Sequence, residues 1–145
     1  MERVVADLAG FEAFATEFAR SLSPKEEGAT LITLSGELGA GKTAFTKAVA
    51  HALGAEGEVT SPTFTLLKEY ELERDCPFTR LIHIDAYRLK GGAELAPLRL
   101  PEALSVRSNL VMLEWPEQVA DALPAADIAL KIEPLTDGSR KISHG

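Results

Sequence analysis

The 145-residue sequence predicts one α/β domain over residues 1–145, with a mixed, mostly parallel central sheet flanked by helices. Three observations carry that expectation. Short β-rich runs alternate with helical patterns, which is how a sheet with helices on its faces is written in sequence. A glycine-rich turn, Gly36 to Thr43, joins one such run to an amphipathic helix. Two later runs, Phe64 to Leu72 and Arg80 to Asp85, are separated only by the polar insert Glu73-Arg74-Asp75-Cys76-Pro77. With no crossover helix between them, those two strands are expected to be antiparallel, which makes the sheet mixed.

The elements follow in chain order. Asp7 is placed to cap a helix whose apolar stripe is Phe11, Phe14, Ala15, Phe18 and Leu22. Ser23 to Gly28 is a polar connector, and Thr30 to Ser35 a β-branched strand. Phe45, Ala48, Val49, Ala52 and Leu53 recur at helical spacing, and Gly54 stands where a helix-terminating glycine belongs. Further strands are expected at 64–72, 80–85, 110–114 and 128–132, with short helical pieces at 92–95, 101–105 and 116–123. Prolines 97 and 101 exclude a long helix there. The tail from Leu135 onward carries no clear pattern.

Composition bounds the function. The chain is 46% hydrophobic and 26% charged, an ordinary globular balance, and at this length folding buries roughly 70% of the extended chain's surface. Its net charge of −7 argues against gripping a nucleic-acid backbone, which calls for a basic face. A single cysteine, Cys76, excludes an internal disulfide and a multi-cysteine zinc site. No run approaches the ~18 apolar residues of a membrane span. With no signal-peptide pattern at Met1-Glu2-Arg3, a cytoplasmic location is expected.

Gly36-Glu37-Leu38-Gly39-Ala40-Gly41-Lys42-Thr43 matches the phosphate-loop (Walker A) pattern GxxxxGK[ST] at every fixed position. A chance match at this composition has odds of roughly one in two hundred, before the flanking strand and helix are required. The chemistry explains the pattern. Glycines let the backbone take positive φ and turn its N–H groups toward an anion. The helix beginning near Lys42 adds its unpaired amides and positive dipole end. Lys42 is expected on the β- and γ-phosphates and the Thr43 hydroxyl on Mg²⁺. The domain is therefore expected to be a P-loop NTPase binding a nucleoside triphosphate and Mg²⁺.

ATP is favoured over GTP. The only asparagine, Asn109, is followed by Leu110, so no Asn-Lys-x-Asp guanine reader exists. A further metal-side carboxylate belongs at a strand end near the loop. Asp85 ends Leu81-Ile82-His83-Ile84-Asp85, and Glu114 ends Leu110-Val111-Met112-Leu113-Glu114. Sequence leaves open which of the two is the direct Mg²⁺ ligand. His83 shares the strand face of Asp85 and reads as a buried, hydrogen-bonded histidine. Arg88 could supply positive charge to the transition state, but a structural pair with an acid is the favoured reading. Ser61 and Thr63, around Pro62, either meet the γ-phosphate or metal or form a hydroxyl-rich turn before the next strand; both readings stand.

Taken together, Gly36 to Thr43, Ser61-Pro62-Thr63-Phe64, Glu69-Tyr70, His83-Ile84-Asp85-Ala86-Tyr87-Arg88-Leu89 and Glu114-Trp115-Pro116-Glu117 resemble the tRNA threonylcarbamoyladenosine biosynthesis ATPase family (TsaE, also YjeE). The resemblance implies an ATPase, slow alone, that works with two partner proteins. That complex installs threonylcarbamoyl on the adenosine next to the anticodon of tRNAs reading codons that begin with A. It implies that ATP hydrolysis supports turnover of the complex, with little or no direct tRNA binding by this chain. Carried onto matching positions, it implies that Lys42 and Thr43 bind phosphate and Mg²⁺ and that Asp85 and Glu114 act on the metal or attacking water. Trp115 would lie beside the nucleotide, and Thr63 in a nucleotide-responsive loop. The segment from Lys90 to Pro101 departs from the family's usual acidic, helical stretch. A small-molecule or nucleotide kinase is the alternative, although no lid-sized insert bearing arginines is evident. A nucleotide sensor without useful hydrolysis is a third reading.

Overall fold

The computed structural model describes residues 1–55, 58–60 (backbone only) and 66–144. Its strands are β1 (Glu2–Val5), β2 (Thr30–Ser35), β3 (Glu58–Thr60), β4 (Leu67–Glu71), β5 (Arg80–Asp85), β6 (Asn109–Glu114), β7 (Ile128–Pro134) and β8 (Arg140–His144). The helices are α1 (Leu8–Ser21), α2 (Lys42–Ala52) and α3 (Leu100–Leu104), with 3₁₀ segments at Gly92–Leu98 and Pro116–Ala122. All eight strands form one sheet in the order β1-β8-β7-β2-β6-β5-β4-β3.

The centre of the sheet is parallel: β7, β2, β6 and β5 run side by side in one direction. Antiparallel pairings turn the chain at both edges, β8 on β7 and β4 on β5, while β1 and β3 point back along the central direction. Only β4 and β8 oppose the rest, so the sheet is mixed and mostly parallel, and the pairing of β4 with β5 is antiparallel as expected.

Local chemistry accounts for the helices. Asp7 accepts a hydrogen bond from the Gly10 N–H at 2.8 Å, which satisfies an amide that the first turn of α1 leaves unpaired. Helix α2 ends in paired bonds from the Gly54 N–H to the His51 carbonyl and from the Ala55 N–H to the Ala50 carbonyl, with Gly54 at φ +83°. That left-handed closure suits glycine because a Cβ disfavours it.

Both faces of the sheet are covered, so the central strands are apolar on both sides. Phe11, Phe14, Phe18 and Phe45 bring α1 and α2 together on one face, with ring centroids 5.5–6.3 Å apart. Leu81, Leu110, Met112, Ile32 and Leu34 meet them from below. On the opposite face Ile82, Ile84, Val111 and Leu113 pack against Leu95, Leu98 and Leu100. Alternation along β5 and β6 therefore puts His83, Asp85 and Glu114, in step with Leu81 and Met112, on the α2 side.

Several expectations needed adjustment. The strand expected at 64–72 spans Leu67–Glu71, while Phe64 and Thr65 lie outside the described residues. The featureless tail contains β8, and the first residues form β1; these strands pair with each other, Glu2 opposite Ser143 and Val5 opposite Arg140. Their residues are too polar to signal a strand locally, and the partner is a whole chain length away. The 90–101 segment forms the 3₁₀ turns Gly92–Leu98, closed by Arg99 at φ 55°.

Phe45 is fully buried and touches the other three rings of the α1–α2 cluster. Phe45→Ala is expected to cost about 3–5 kcal/mol of folding stability, read as a lowered urea midpoint.

Candidate functional site

Three parallel strands end level with one another. Leu34 is opposite Glu114 across β2 and β6, and Asp85 is opposite Glu114 across β5 and β6. The chain leaves β2 at Ser35 into the glycine loop, which delivers Lys42 and Thr43 at the start of α2 above the same edge. Ligands of parallel α/β sheets bind outside such carboxyl ends. Here a cavity of about 220 Å³ is lined by Leu38, Gly39, Gly41, Lys42, Thr43, Ala44, Asp85, Tyr87, Glu114 and Trp115.

The loop's glycines are required by its shape. Gly36 has φ +144°, and a Cβ there would stand 2.3 Å from the Ile132 carbonyl oxygen of β7. Gly41 has φ +109°, with the Phe11 ring 3.2 Å from where a Cβ would be. A side chain is thus barred at Gly36 by conformation and by space, and at Gly41 it is disfavoured by conformation and would press on the Phe11 ring.

Lys42 is buried and turned back on its own loop, donating to the Gly36 and Glu37 carbonyls at 2.7 and 2.8 Å. Its ammonium also lies 4.1 Å from the centre of the Trp115 ring. Burial pushes the Lys42 amine below the ordinary lysine range, against the carboxylates of Glu114, Glu117 and Asp85, which pull it back up.

Glu114 is 2% exposed and would be costly to bury alone. The Thr43 hydroxyl donates to both its carboxylate oxygens at 2.9 Å, and His83 Nε2 is hydrogen-bonded to Oε2. One buried carboxylate thereby joins α2, β6 and β5. His83 is buried and hydrogen-bonded, as expected, and its Nδ1 has no hydrogen-bond partner among the described residues. Asp85 is more open to the cavity, and its Oδ1 accepts from the Tyr87 N–H at 3.1 Å, closing a turn after β5.

Trp115 follows Glu114 in the left-handed region, φ 61°, and its N–H donates to the Leu34 carbonyl at 3.0 Å. A non-glycine residue there is strained. The conformation sends the ring over Lys42 and against Tyr87, whose ring centre is 4.9 Å away.

The structure therefore brings together Leu38, Gly39, Gly41, Lys42, Thr43, Asp85, Glu114 and Trp115. Gly36 and Glu37 act through their carbonyls, and Ala40 is buried beneath the loop. Ser61 and Thr63 lie outside the described residues. Arg88, expected to pair with an acid, is exposed and has no ion pair among the described residues. Two contributors lacked a local signal. Tyr87 sits inside a motif but reveals its ring contact only in three dimensions. Arg140, in the tail, donates from Nε to the Ala40 carbonyl at 2.7 Å.

The donor set fits a magnesium ion shared with phosphate. Thr43, Asp85 and Glu114 offer oxygen ligands around one cavity, and Mg²⁺ characteristically takes one or two carboxylates plus substrate oxygens. Among the described residues no group of three or more His, Cys, Asp or Glu side chains could hold a metal.

Residues 5–142 match the family model described as Threonylcarbamoyl adenosine biosynthesis protein TsaE. The chain belongs to the TsaE family. Relatives within it carry the description tRNA threonylcarbamoyladenosine biosynthesis protein TsaE. The one from Streptomyces coelicolor is 39% identical over 130 residues, 88% of this chain and 85% of its own. That from Treponema pallidum is 37% identical over 118 residues, covering 81% and 82%. Among solved structures, Bacillus subtilis YdiB superposes with a TM-score of 0.73 at 28% identity, covering 99% of this chain and 83% of its own. No helix of the described residues in this TsaE-family chain is long and apolar enough to cross a membrane.

His83→Leu would leave the buried Glu114 carboxylate with Thr43 as its remaining partner. The expected loss is about 2 kcal/mol of stability, measured by urea unfolding, with His83→Gln closer to the native chain. An unchanged midpoint for His83→Leu would show that Glu114 does not depend on this contact.

Proposed function

We propose that this chain is the Mg²⁺-dependent ATP-binding and ATP-hydrolysing subunit of the assembly that forms threonylcarbamoyladenosine next to the anticodon of tRNAs reading codons that begin with A. The observation that carries this reading is the convergence of the glycine loop, Thr43, Asp85 and Glu114 on one cavity at the carboxyl ends of β2, β6 and β5. Family membership supports the pathway. The phosphate-loop chemistry supports the nucleotide.

On this reading the triphosphate lies along Gly39 to Thr43 at the positive end of α2. Lys42 exchanges the Gly36 and Glu37 carbonyls for phosphate oxygens, so the buried amine gains anionic partners in place of neutral ones. Thr43 and the Asp85 and Glu114 carboxylates would hold Mg²⁺, which when bound neutralises charge on the phosphates. Glu114, once Thr43 turns from it, keeps His83 as a partner and orients the attacking water. Trp115 walls the cavity beside Lys42 and keeps bulk water from the phosphates.

Hydrolysis by this chain supports turnover of the complex and is faster with the two partner proteins present. The threonylcarbamoyl transfer itself belongs to the partners. A net charge of −7 suits a subunit that docks on proteins and leaves tRNA to them.

Purified chain with ATP and Mg²⁺ is expected to release phosphate slowly, to stop when EDTA removes the metal, and to accelerate when the partners are added. A rate unmoved by partners, together with phosphorylation of a small metabolite, would establish a kinase instead. Asp85→Asn and Glu114→Gln are each expected to lower kcat by roughly 100-fold while nucleotide affinity changes far less. Hydrolysis at the native rate in both variants would remove these carboxylates from the reaction.

A further inference from the structure

Arg140 stands on β8, a hundred residues beyond the loop it touches, on the face of the sheet that carries Ile142 and the α1–α2 core. Its place is set by pairing on both sides, Val5 on β1 and Pro134 on β7. A tight turn precedes it. The Leu135 N–H donates to the Ser139 carbonyl at 2.8 Å, and Ser139 donates through its N–H and hydroxyl to Asp137 Oδ1. The side chain is half-buried, with its guanidinium 5.8 Å from the centre of the Phe11 ring and its Nε–H donated to the Ala40 carbonyl at 2.7 Å.

That single bond has a stereochemical consequence. In a trans peptide the carbonyl and the following N–H point in opposite directions, and the described chain has no cis bonds. Drawing the Ala40 carbonyl toward β8 therefore aims the Gly41 N–H away from β8. Gly41 lines the cavity. With no Cβ and φ +109°, this residue has the conformational freedom to let the plane rotate, so an external restraint is needed to hold one orientation. Phe11 and Arg140 fill the space behind it, 3.2 and 3.5 Å from where a Cβ would stand.

We propose that Arg140 is a positioning residue for the phosphate loop: it fixes the Ala40–Gly41 peptide plane so that the Gly41 amide is presented to the bound phosphates before the nucleotide arrives. The proposal rests on the reading of the cavity as a nucleotide site. A guanidinium donor forms a stronger bond to a carbonyl than a neutral donor does, and preorganising a donor reduces the ordering cost of binding. The ends of the chain are thus coupled to the loop: β1 and β8 hold Arg140, and Arg140 holds the peptide.

The test compares the native chain with Arg140→Met and Arg140→Lys in two measurements. In nucleotide-free protein, ¹⁵N relaxation is expected to show an ordered Gly41 amide in the native chain and a mobile one in Arg140→Met, with Arg140→Lys between. In turnover with Mg-ATP, Arg140→Met is expected to raise KM about tenfold while kcat stays within twofold. A Gly41 amide as ordered in Arg140→Met as in the native chain, with unchanged KM, would overturn the proposal. So would a fall in kcat at constant KM. If Arg140→Met does not fold, Arg140→Lys carries both measurements with the same criteria. Failure of the native chain to bind ATP would refute the nucleotide reading, whereas the amide measurement, made without ligand, still decides the role of Arg140.

Discussion

A carboxylate buried at the end of a strand needs partners, and Glu114 finds them on two other elements. Desolvating that group without hydrogen bonds would cost several kcal/mol, which is the scale of a domain's whole stability. Thr43 reaches it from the first turn of α2 and His83 from β5, so a single side chain ties the start of the helix to the two strands that the ladder already holds together. The parallel register makes this possible, since β2, β6 and β5 end at the same level with β6 in the middle.

The same edge concentrates conformational strain and unusual burial. Gly36, Gly39, Gly41 and Trp115 all have positive φ, and Lys42 is buried on carbonyl partners. Local departures of this kind cost stability and persist where the surroundings over-determine them. Here the surroundings are identifiable: the Leu34 carbonyl holds Trp115, and Arg140 holds the loop at Ala40. Each of these partners is itself in the sheet, so the rigid part of the molecule maintains the strained part. Lys42 and Thr43 are engaged with protein groups, the Gly36 and Glu37 carbonyls and the Glu114 carboxylate, and on the proposed reading a phosphate and a metal ion take the place of those partners.

Much of this was legible in the sequence. The β2–loop–α2 unit was readable because its signals are local: a β-branched run, glycines at fixed spacing, then an apolar stripe ended by Gly54. The antiparallel β4–β5 pair followed from the absence of a crossover, and the strand-end positions of Asp85 and Glu114 from apolar runs that stop in an acid. What was hidden is what depends on distant partners. Glu2-Arg3-Val4-Val5 and Arg140 to His144 are short and largely polar, and they become strands through distant partners, β8 laddering on β7 and β1 in turn on β8. The ion pair expected for Arg88 is absent among the described residues, although the exposed Arg3 and Arg80 each have one, so exposure alone does not decide which arginines pair. That Thr43 and His83 share Glu114 required the register of three strands, which periodicity alone does not specify.

Site and sheet lead to one claim, that the edge above β2, β6 and β5 is an ATP site in a TsaE-family protein and that Lys42 and Thr43 change partners to fill it. A crystal structure with Mg²⁺ and a non-hydrolysable ATP analogue tests this most directly. The expected result is triphosphate along Gly39 to Thr43, with the Lys42 amine released from the Gly36 and Glu37 carbonyls and the Thr43 hydroxyl turned from Glu114 to the metal. Nucleotide bound elsewhere, or Lys42 and Thr43 still on their present partners beneath bound phosphate, would contradict it.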